Sequence, residues 1–143
     1  MTIISKSALV SYSPEEMFKL VDDIEAYSEF LPWCGKATEI SRDEKNVKAS
    51  ILISHSGLNK EFTTQNENDA FDKIEMHLLN GPFKNLDGVW LFEPLGETAC
   101  KVSLNLEFEF SSKIIGITLG PVFSKIANSI VDAFIKRAES VYG

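Results

Sequence analysis

Two hydrophobic periods divide this chain. From Gly120 to Tyr142, the residues Phe123, Ile126, Ala127, Ile130, Phe134, Ala138 and Val141 recur at steps of three and four. Lys125, Asn128, Ser129, Asp132, Lys136 and Glu139 fall on the other side. This spacing predicts an amphipathic helix of about six turns. Val122, Val131 and Ile135 widen the apolar stripe beyond a coiled-coil seam, so the helix needs a broad partner surface. Gly120-Pro121 is expected to open it, because glycine tolerates a backbone break and proline suits the first helical position.

Between Trp33 and Phe110 the period is two. Val47, Ala49, Ile51 and Ile53 alternate with polar residues, although Leu52 blurs the exposed side. Phe62 and Thr64 share one face of the polar stretch Lys60 to Asn66, and Ile74, Met76 and Leu78 alternate with Lys73, Glu75 and His77. Trp90 and Phe92 share a face of Leu86 to Phe92. The clearest strand is Cys100, Val102, Leu104, Leu106, Phe108 and Phe110, set against Lys101, Ser103, Asn105, Glu107 and Glu109. Turn signals stand at Ser56-Gly57, Asn68-Asp69 and Asn80-Gly81-Pro82. Alternation of this kind predicts an antiparallel sheet with one face buried and one in water.

The N-terminal part adds a strand over Thr2 to Tyr12 and a helix over 14–24. Ser13 is placed to cap that helix, with Pro14 at its first position and Glu16 completing a capping box. Pro32 should stop any further helical turn in Ala26 to Pro32. The order is strand, helix, about six strands and a long helix, an α+β arrangement in which a strongly curved sheet wraps the terminal helix. One helix cannot cover such a sheet evenly. The space left over is a cavity lined by Trp, Phe, Met and Ile, which favours an apolar ligand.

The 143 residues suit one domain. Hydrophobic residues make up 44% and charged residues 24%, as in a soluble globular protein. No uninterrupted apolar run reaches the ~18 residues of a membrane span, and the first ten residues alternate instead of forming a signal core, so a cytoplasmic location is expected. Cys34 and Cys100 are expected to be buried, reduced thiols. The net charge of −7 opposes binding to DNA, since phosphate contacts draw on clustered Lys and Arg. From Lys113 onward, however, Lys113, Lys125, Lys136 and Arg137 outnumber Asp132 and Glu139.

Catalytic chemistry finds little support. His55 and His77 lie in strands, His77 on the exposed side, and neither shows zinc spacing with the cysteines. There is no GxGxxG or P-loop, and Glu15-Glu16, Asp22-Asp23 and Asp43-Glu44 read as solvated charge. No catalytic residue and no metal site is expected. Ile114, Ile115, Ile117 and Leu119 crowd between Ser111-Ser112 and Gly120-Pro121. They read either as a first helical segment packed on the sheet or as a mobile apolar entrance flap able to touch a membrane.

Several short motifs are similar to those of the START-like coenzyme Q-binding family, a branch of the polyketide-cyclase-like superfamily. They are Ala8-Leu9-Val10 with Tyr12-Ser13, Phe30-Leu31-Pro32-Trp33-Cys34, Phe62-Thr63-Thr64-Gln65-Asn66, Gly81-Pro82-Phe83 with Leu86 and Gly88, Trp90 with Phe92-Glu93-Pro94, Phe108-Glu109-Phe110, and Ala133-Phe134 with Arg137-Ala138 and Val141-Tyr142. The resemblance spans nearly the whole chain. It implies a helix-grip fold, in which seven antiparallel strands grip the C-terminal helix around an apolar tunnel.

It also implies two functions. One is non-enzymatic binding of ubiquinone or a similar prenyl lipid in support of respiratory electron transport, with transient contact at the inner membrane and no required cofactor. The other is that of a toxin that binds the large ribosomal subunit and blocks subunit joining. A cyclase- or hydratase-type enzyme ranks last, because no inward Asp, Glu or His is evident. On the first reading the lipid tail lies along Phe123, Ile126, Ile130 and Phe134, facing Leu31, Trp33, Phe62, Met76, Trp90, Phe92 and Phe108. Thr64 and Asn66 are the candidates to contact its head.

Overall fold

Alternating apolar residues build seven strands in the computed structural model, which describes residues 2–55 and 57–143. They are β1 (Thr2–Val10), β2 (Cys34–Arg42), β3 (Asn46–His55), β4 (Leu58–Asp69), β5 (Lys73–Asn80), β6 (Phe83–Pro94) and β7 (Cys100–Phe110). The sheet order is β1-β7-β6-β5-β4-β3-β2, with every neighbouring pair antiparallel. Of the expected Ser56-Gly57 turn, Ser56 lies outside the described residues, while Gly57 turns the chain with φ +81°.

Only β1 and β2 are joined across the width of the sheet. Their link carries α1 (Pro14–Asp22), a single 3₁₀ turn at Ile24–Ala26 and the one-turn α2 (Tyr27–Phe30). The capping box that starts α1 is formed in both directions: Glu16 N–H donates to Ser13 Oγ at 3.2 Å, and Ser13 N–H donates to Glu16 Oε1 at 3.0 Å. Met17, Phe18, Leu20 and Val21 then turn inward. The link is tied to the sheet by Arg42, whose guanidinium donates to Asp22 Oδ2 at 3.0 Å and Oδ1 at 3.1 Å.

The sheet bends where single residues drop out of the pairing. Gly35, Ile40, Leu79 and Lys84 lie at register shifts of this kind, and such bulges kink a strand and raise its twist. They also explain why Cys34 and Ala37, or Phe83 and Leu86, are buried three apart instead of two. At Gly81 (φ +152°) a Cβ would lie 2.6 Å from Phe62 Cβ, so the close approach of β4 to this turn needs glycine.

The terminal helix differs from its expected form. It is a single element, α3 (Lys113–Tyr142), that runs through Gly120-Pro121 without a break. Its start lies at Ser112, whose side chain accepts from Ile115 N–H at 3.2 Å. A proline removes one helical hydrogen bond, yet the flanking turns are held by packing. Leu119 and Phe123 are buried on either side of Pro121, and Gly116 and Gly120 lie against the Phe110 ring. The result is a helix of 30 residues with a window of mean hydropathy 1.5, long and apolar enough by composition to cross a bilayer. Here its inner face is committed to the sheet: Leu119, Phe123, Ile126, Ala127, Val131, Phe134 and Ala138 are buried. Val141, counted in the stripe by its spacing, is 50% exposed.

Candidate functional site: an apolar cavity under the C-terminal helix

Two phenylalanines hold α3 in the curve of the sheet. Phe123 packs against Phe83 and Phe108 with ring centroids 4.9 and 4.8 Å away. Phe134 meets Tyr27, Phe30 and Trp90 at 5.4, 5.3 and 5.4 Å. Each centres its own hydrophobic cluster, and between them Ile126, Ala127 and Ile130 roof a cavity. Its floor is Ala49 and Ile51 of β3, Phe62, Thr64 and Asn66 of β4, Met76 of β5, Leu86 and Trp90 of β6, and Leu104 and Leu106 of β7. Ile24, Tyr27 and Trp33 close the side. The free interior is small, about 80 Å³, and reaches about 750 Å³ only when the gaps between lining atoms and the open mouth are counted.

Local sequence accounts for this space. On β6 the inward position facing Met76 is Gly88, where a Cβ would fall 2.6 Å from Met76 Cε and 3.1 Å from Leu106 Cδ1. The missing side chain lets Met76 lie back along the sheet.

The expected ligand-binding residues divide into two groups. Trp33, Phe62, Thr64, Met76, Trp90, Phe123, Ile126 and Ile130 line the cavity. Leu31, Phe92, Phe108 and Phe134 do not; each is about 1% exposed and packs behind the wall. Alternation marks which way a strand residue points, but not whether a neighbour already fills the space there. Asn66, expected with Thr64 as a head contact, also lines it, and Ile24, Tyr27, Ala49, Ile51, Leu86, Leu104, Leu106 and Ala127 complete the lining. Most of them carry an inward-facing signal in the strand periods. Ile24, read by its spacing with Met17 and Val21 as the end of the helix over 14–24, is instead brought in by the 3₁₀ turn after α1 ends at Asp22.

The residues expected to form an entrance flap lie away from the cavity lining. None of Ile114, Ile115, Ile117 and Leu119 lines the cavity: Leu119 is fully buried, Ile115 packs on the core, and Ile114 and Ile117 point outward at 76% and 69% exposure. Both Ile126 and Trp33 adjoin the interior and an outer groove, and the more exposed of the two is the half-buried Trp33. It also lines two outer grooves, one with Pro32, His55, Val122, Lys125 and Ser129, the other with Glu29, Phe30, Lys136 and Arg137. Arg137 is fixed there by Glu29 at 3.3 Å and by the face of Phe30, 4.9 Å from its ring centre.

No carboxylate, imidazole or amine occurs among the described lining residues. The polar groups that do occur are sparse. Thr64 Oγ1 donates to Asn66 Oδ1 at 2.9 Å, and both residues are buried. The Tyr27 hydroxyl donates to the Val21 carbonyl, and burial pushes its pKa far above the ordinary phenol range. Both cysteines are free, buried thiols, as expected; burial raises each pKa, that of Cys100 to about 11. On the outer face of the sheet the ligand atoms of Glu67, Glu75 and His77 lie within 4.8 Å of one another. There Lys73 already pairs with Glu75 at 3.0 Å, and His77 Nδ1 lies 2.9 Å from Asp87.

The family described as polyketide cyclase/dehydrase and lipid transport matches residues 10–135, which takes in the wall, the roof and the helical link of this cavity. The chain belongs to that family. Within it, the ribosome association toxin RatA of Vibrio cholerae is 48% identical over 140 residues, covering 98% of this chain and 97% of that protein. The mitochondrial coenzyme Q-binding protein coq10 of Schizosaccharomyces pombe is 27% identical over 141 residues, covering 93% and 84%. Among solved structures, the ZhuI aromatase/cyclase from Streptomyces sp. R1128 superposes with a TM-score of 0.83 at 14% identity, over 96% of this chain and 93% of that one. At that identity the likeness is one of fold. Seven antiparallel strands gripping a long C-terminal helix are the family architecture that the sequence motifs imply.

Proposed function

We propose that this protein is a non-catalytic binder of ubiquinone or a similar neutral prenyl lipid, held in the cavity under α3 in support of respiratory electron transport. The observation that carries the reading is the composition of the lining: apolar and aromatic side chains, one buried Thr–Asn pair and no charge among the described residues. Burial of a lipid tail there contributes roughly 25 cal/mol per Å², less the cost of ordering it. An acid–base enzyme would need titratable groups in reach of a substrate, and the lining offers only a tyrosine whose proton is committed. The name of the coq10 relative points the same way. Exposed Ile114 and Ile117 beside Lys113 are the side chains we assign to transient contact with the inner membrane. Native mass spectrometry and lipid extraction of the purified protein test the proposal. A co-purifying quinone, or saturable uptake of added ubiquinone, is the expected result; absence of both overturns it.

A second reading has its own support. The 48% identity to a protein named for ribosome association covers nearly the whole chain. Lys113, Lys125 and Lys136 stand exposed along α3, with no ion pair among the described residues. This surface would dock on the large ribosomal subunit, while the cavity serves a separate purpose. Sucrose-gradient sedimentation decides it: added protein should shift whole ribosomes toward free subunits, and an unchanged profile removes the reading.

A further inference from the structure

Thr64 and Asn66 sit two residues apart on the inner face of β4, where every other lining side chain of the sheet is apolar or aromatic. The strand pairing does not require an amide there. Asn66 is paired through its backbone with Val47 and Met76, whose side chains are apolar. Burying an amide donor without a partner costs about 1–3 kcal/mol, so its presence calls for a compensating contact.

The geometry shows which contact is missing. Thr64 donates its hydroxyl proton to Asn66 Oδ1, which fixes the amide with its oxygen toward Thr64 and its NH₂ turned away. No described residue accepts from Asn66 Nδ2. Nor is that nitrogen sealed by packing, because among the described residues the one sealed, unpaired side-chain atom is Asn68 Oδ1. Asn66 is 9% exposed and lines the cavity. Its NH₂ is therefore a fixed donor left open to the interior. The Tyr27 hydroxyl is committed to Val21, so it does not compete.

We infer that Asn66, oriented by Thr64, is the head-group subsite of the cavity, selecting a neutral ligand whose buried end carries a hydrogen-bond acceptor of the quinone-carbonyl kind. This rests on the reading of the cavity as a lipid site and adds a polarity to it. A carboxylate head would be buried opposite one amide with no cation to offset its desolvation, so fatty acids are disfavoured. Thr64 is a positioning residue: without its hydroxyl the amide is free to rotate.

Two probes of equal tail length test the subsite: decyl-substituted ubiquinone, followed by quenching of Trp33 and Trp90 emission, and decylbenzene, followed by competition. In wild type the quinone binds more tightly. Asn66→Leu is expected to weaken quinone binding about tenfold and to leave decylbenzene within about twofold. Thr64→Val, which keeps the shape of the side chain, should lower the ratio of the two affinities about threefold or more. The carbonyl stretch of bound quinone, shifted down in wild type by the amide, should return toward its free frequency in Asn66→Leu.

Quinone affinity unchanged in Thr64→Val, or in a folded Asn66→Leu, overturns the subsite and leaves the lipid reading standing. Wild type that binds neither probe overturns both.

Discussion

Phe123 and Phe134 stand about three helical turns apart on one face of α3, each centred in a separate aromatic cluster, with the cavity roof between them. They are not equivalent. Phe123 borders the cavity, whereas Phe134 is sealed at 1% exposure among Tyr27, Phe30 and Trp90. Replacing either by alanine should cost about 3–5 kcal/mol, as for other buried phenylalanines. The split is expected in binding. Phe134→Leu should lower the urea midpoint and leave quinone affinity within about twofold, while Phe123→Leu should change both. Equal effects on affinity would return Phe134 to the cavity wall.

The fold was legible wherever the periods are strict. Cys100 to Phe110 alternates without error, and all of it forms β7 with Cys100, Val102, Leu104, Leu106 and Phe108 buried. The cap at Ser13 was legible because its chemistry is local, carried by Ser13, Pro14 and Glu16 within four residues. The site was legible only in part. An inward period names Phe92 and Phe108 as readily as Met76 and Phe62, and the difference between core and cavity lies in what faces them across the sheet. Gly88 opens space at Met76, whereas Phe18 fills the space at Phe92. Gly120-Pro121 misled for a related reason: local propensity favours a break, and burial of Leu119 and Phe123 overrides it.

Trp33 lines the cavity and both surface grooves, and Ile126 lines the cavity and one of them, so the bulk of the more exposed Trp33 should govern how fast a ligand exchanges. Trp33→Ala is expected to speed quinone release about tenfold in stopped-flow measurements, with Trp90 as the remaining fluorophore. Trp33→Phe should fall between the two. Unchanged release in Trp33→Ala would place the route elsewhere, at the exposed turns that carry Ile114 and Ile117.

Gly88 provides a narrower test of the cavity's size. The Cβ of Gly88→Ala would meet the end of the flexible Met76 side chain, which can swing away into the empty space. Stability should therefore fall by only about 1 kcal/mol, while ligand affinity drops about tenfold or more. Pairing Gly88→Ala with Met76→Ala should restore most of the affinity by returning the volume. Failure of that rescue would mean that the alanine acts through the sheet and not through the cavity.

The buried thiols set a pH limit. Burial raises the Cys100 pKa from an ordinary 9.0 to about 11, with Glu16 adding to it, and Cys34 moves the same way. Below pH 9 both states keep the Cys100 proton and stability does not depend on it. Between pH 9 and about 11 the unfolded chain loses that proton while the folded one keeps it, so stability falls as pH rises. Urea midpoints should decline over that window and decline less in Cys100→Ala. Thiol modification at pH 8 should track global unfolding, and fast labelling of the native protein would contradict the burial of both cysteines.

Pro121 lies within α3 and withholds the N–H that would otherwise bond the Ile117 carbonyl. Proline in a helix interior is less favourable than alanine by about 3 kcal/mol, partly offset by the stiffness it gives the unfolded chain. Its neighbour Gly120 adds a further cost, and there a Cβ would sit 3.7 Å from Phe110 Cε2, an ordinary contact. Pro121→Ala should therefore stabilise the protein by about 1–2 kcal/mol, and Gly120→Ala by up to about 1 kcal/mol. Thermal melts of the two single variants and the double variant measure this. If instead the helix divides at Gly120-Pro121 in solution, the double variant would forge a connection absent from the native protein. Its turns over Lys113 to Leu119 would then gain hydrogen-exchange protection far beyond the change in global stability. With α3 continuous, protection in those turns should rise only as much as the melting curve does.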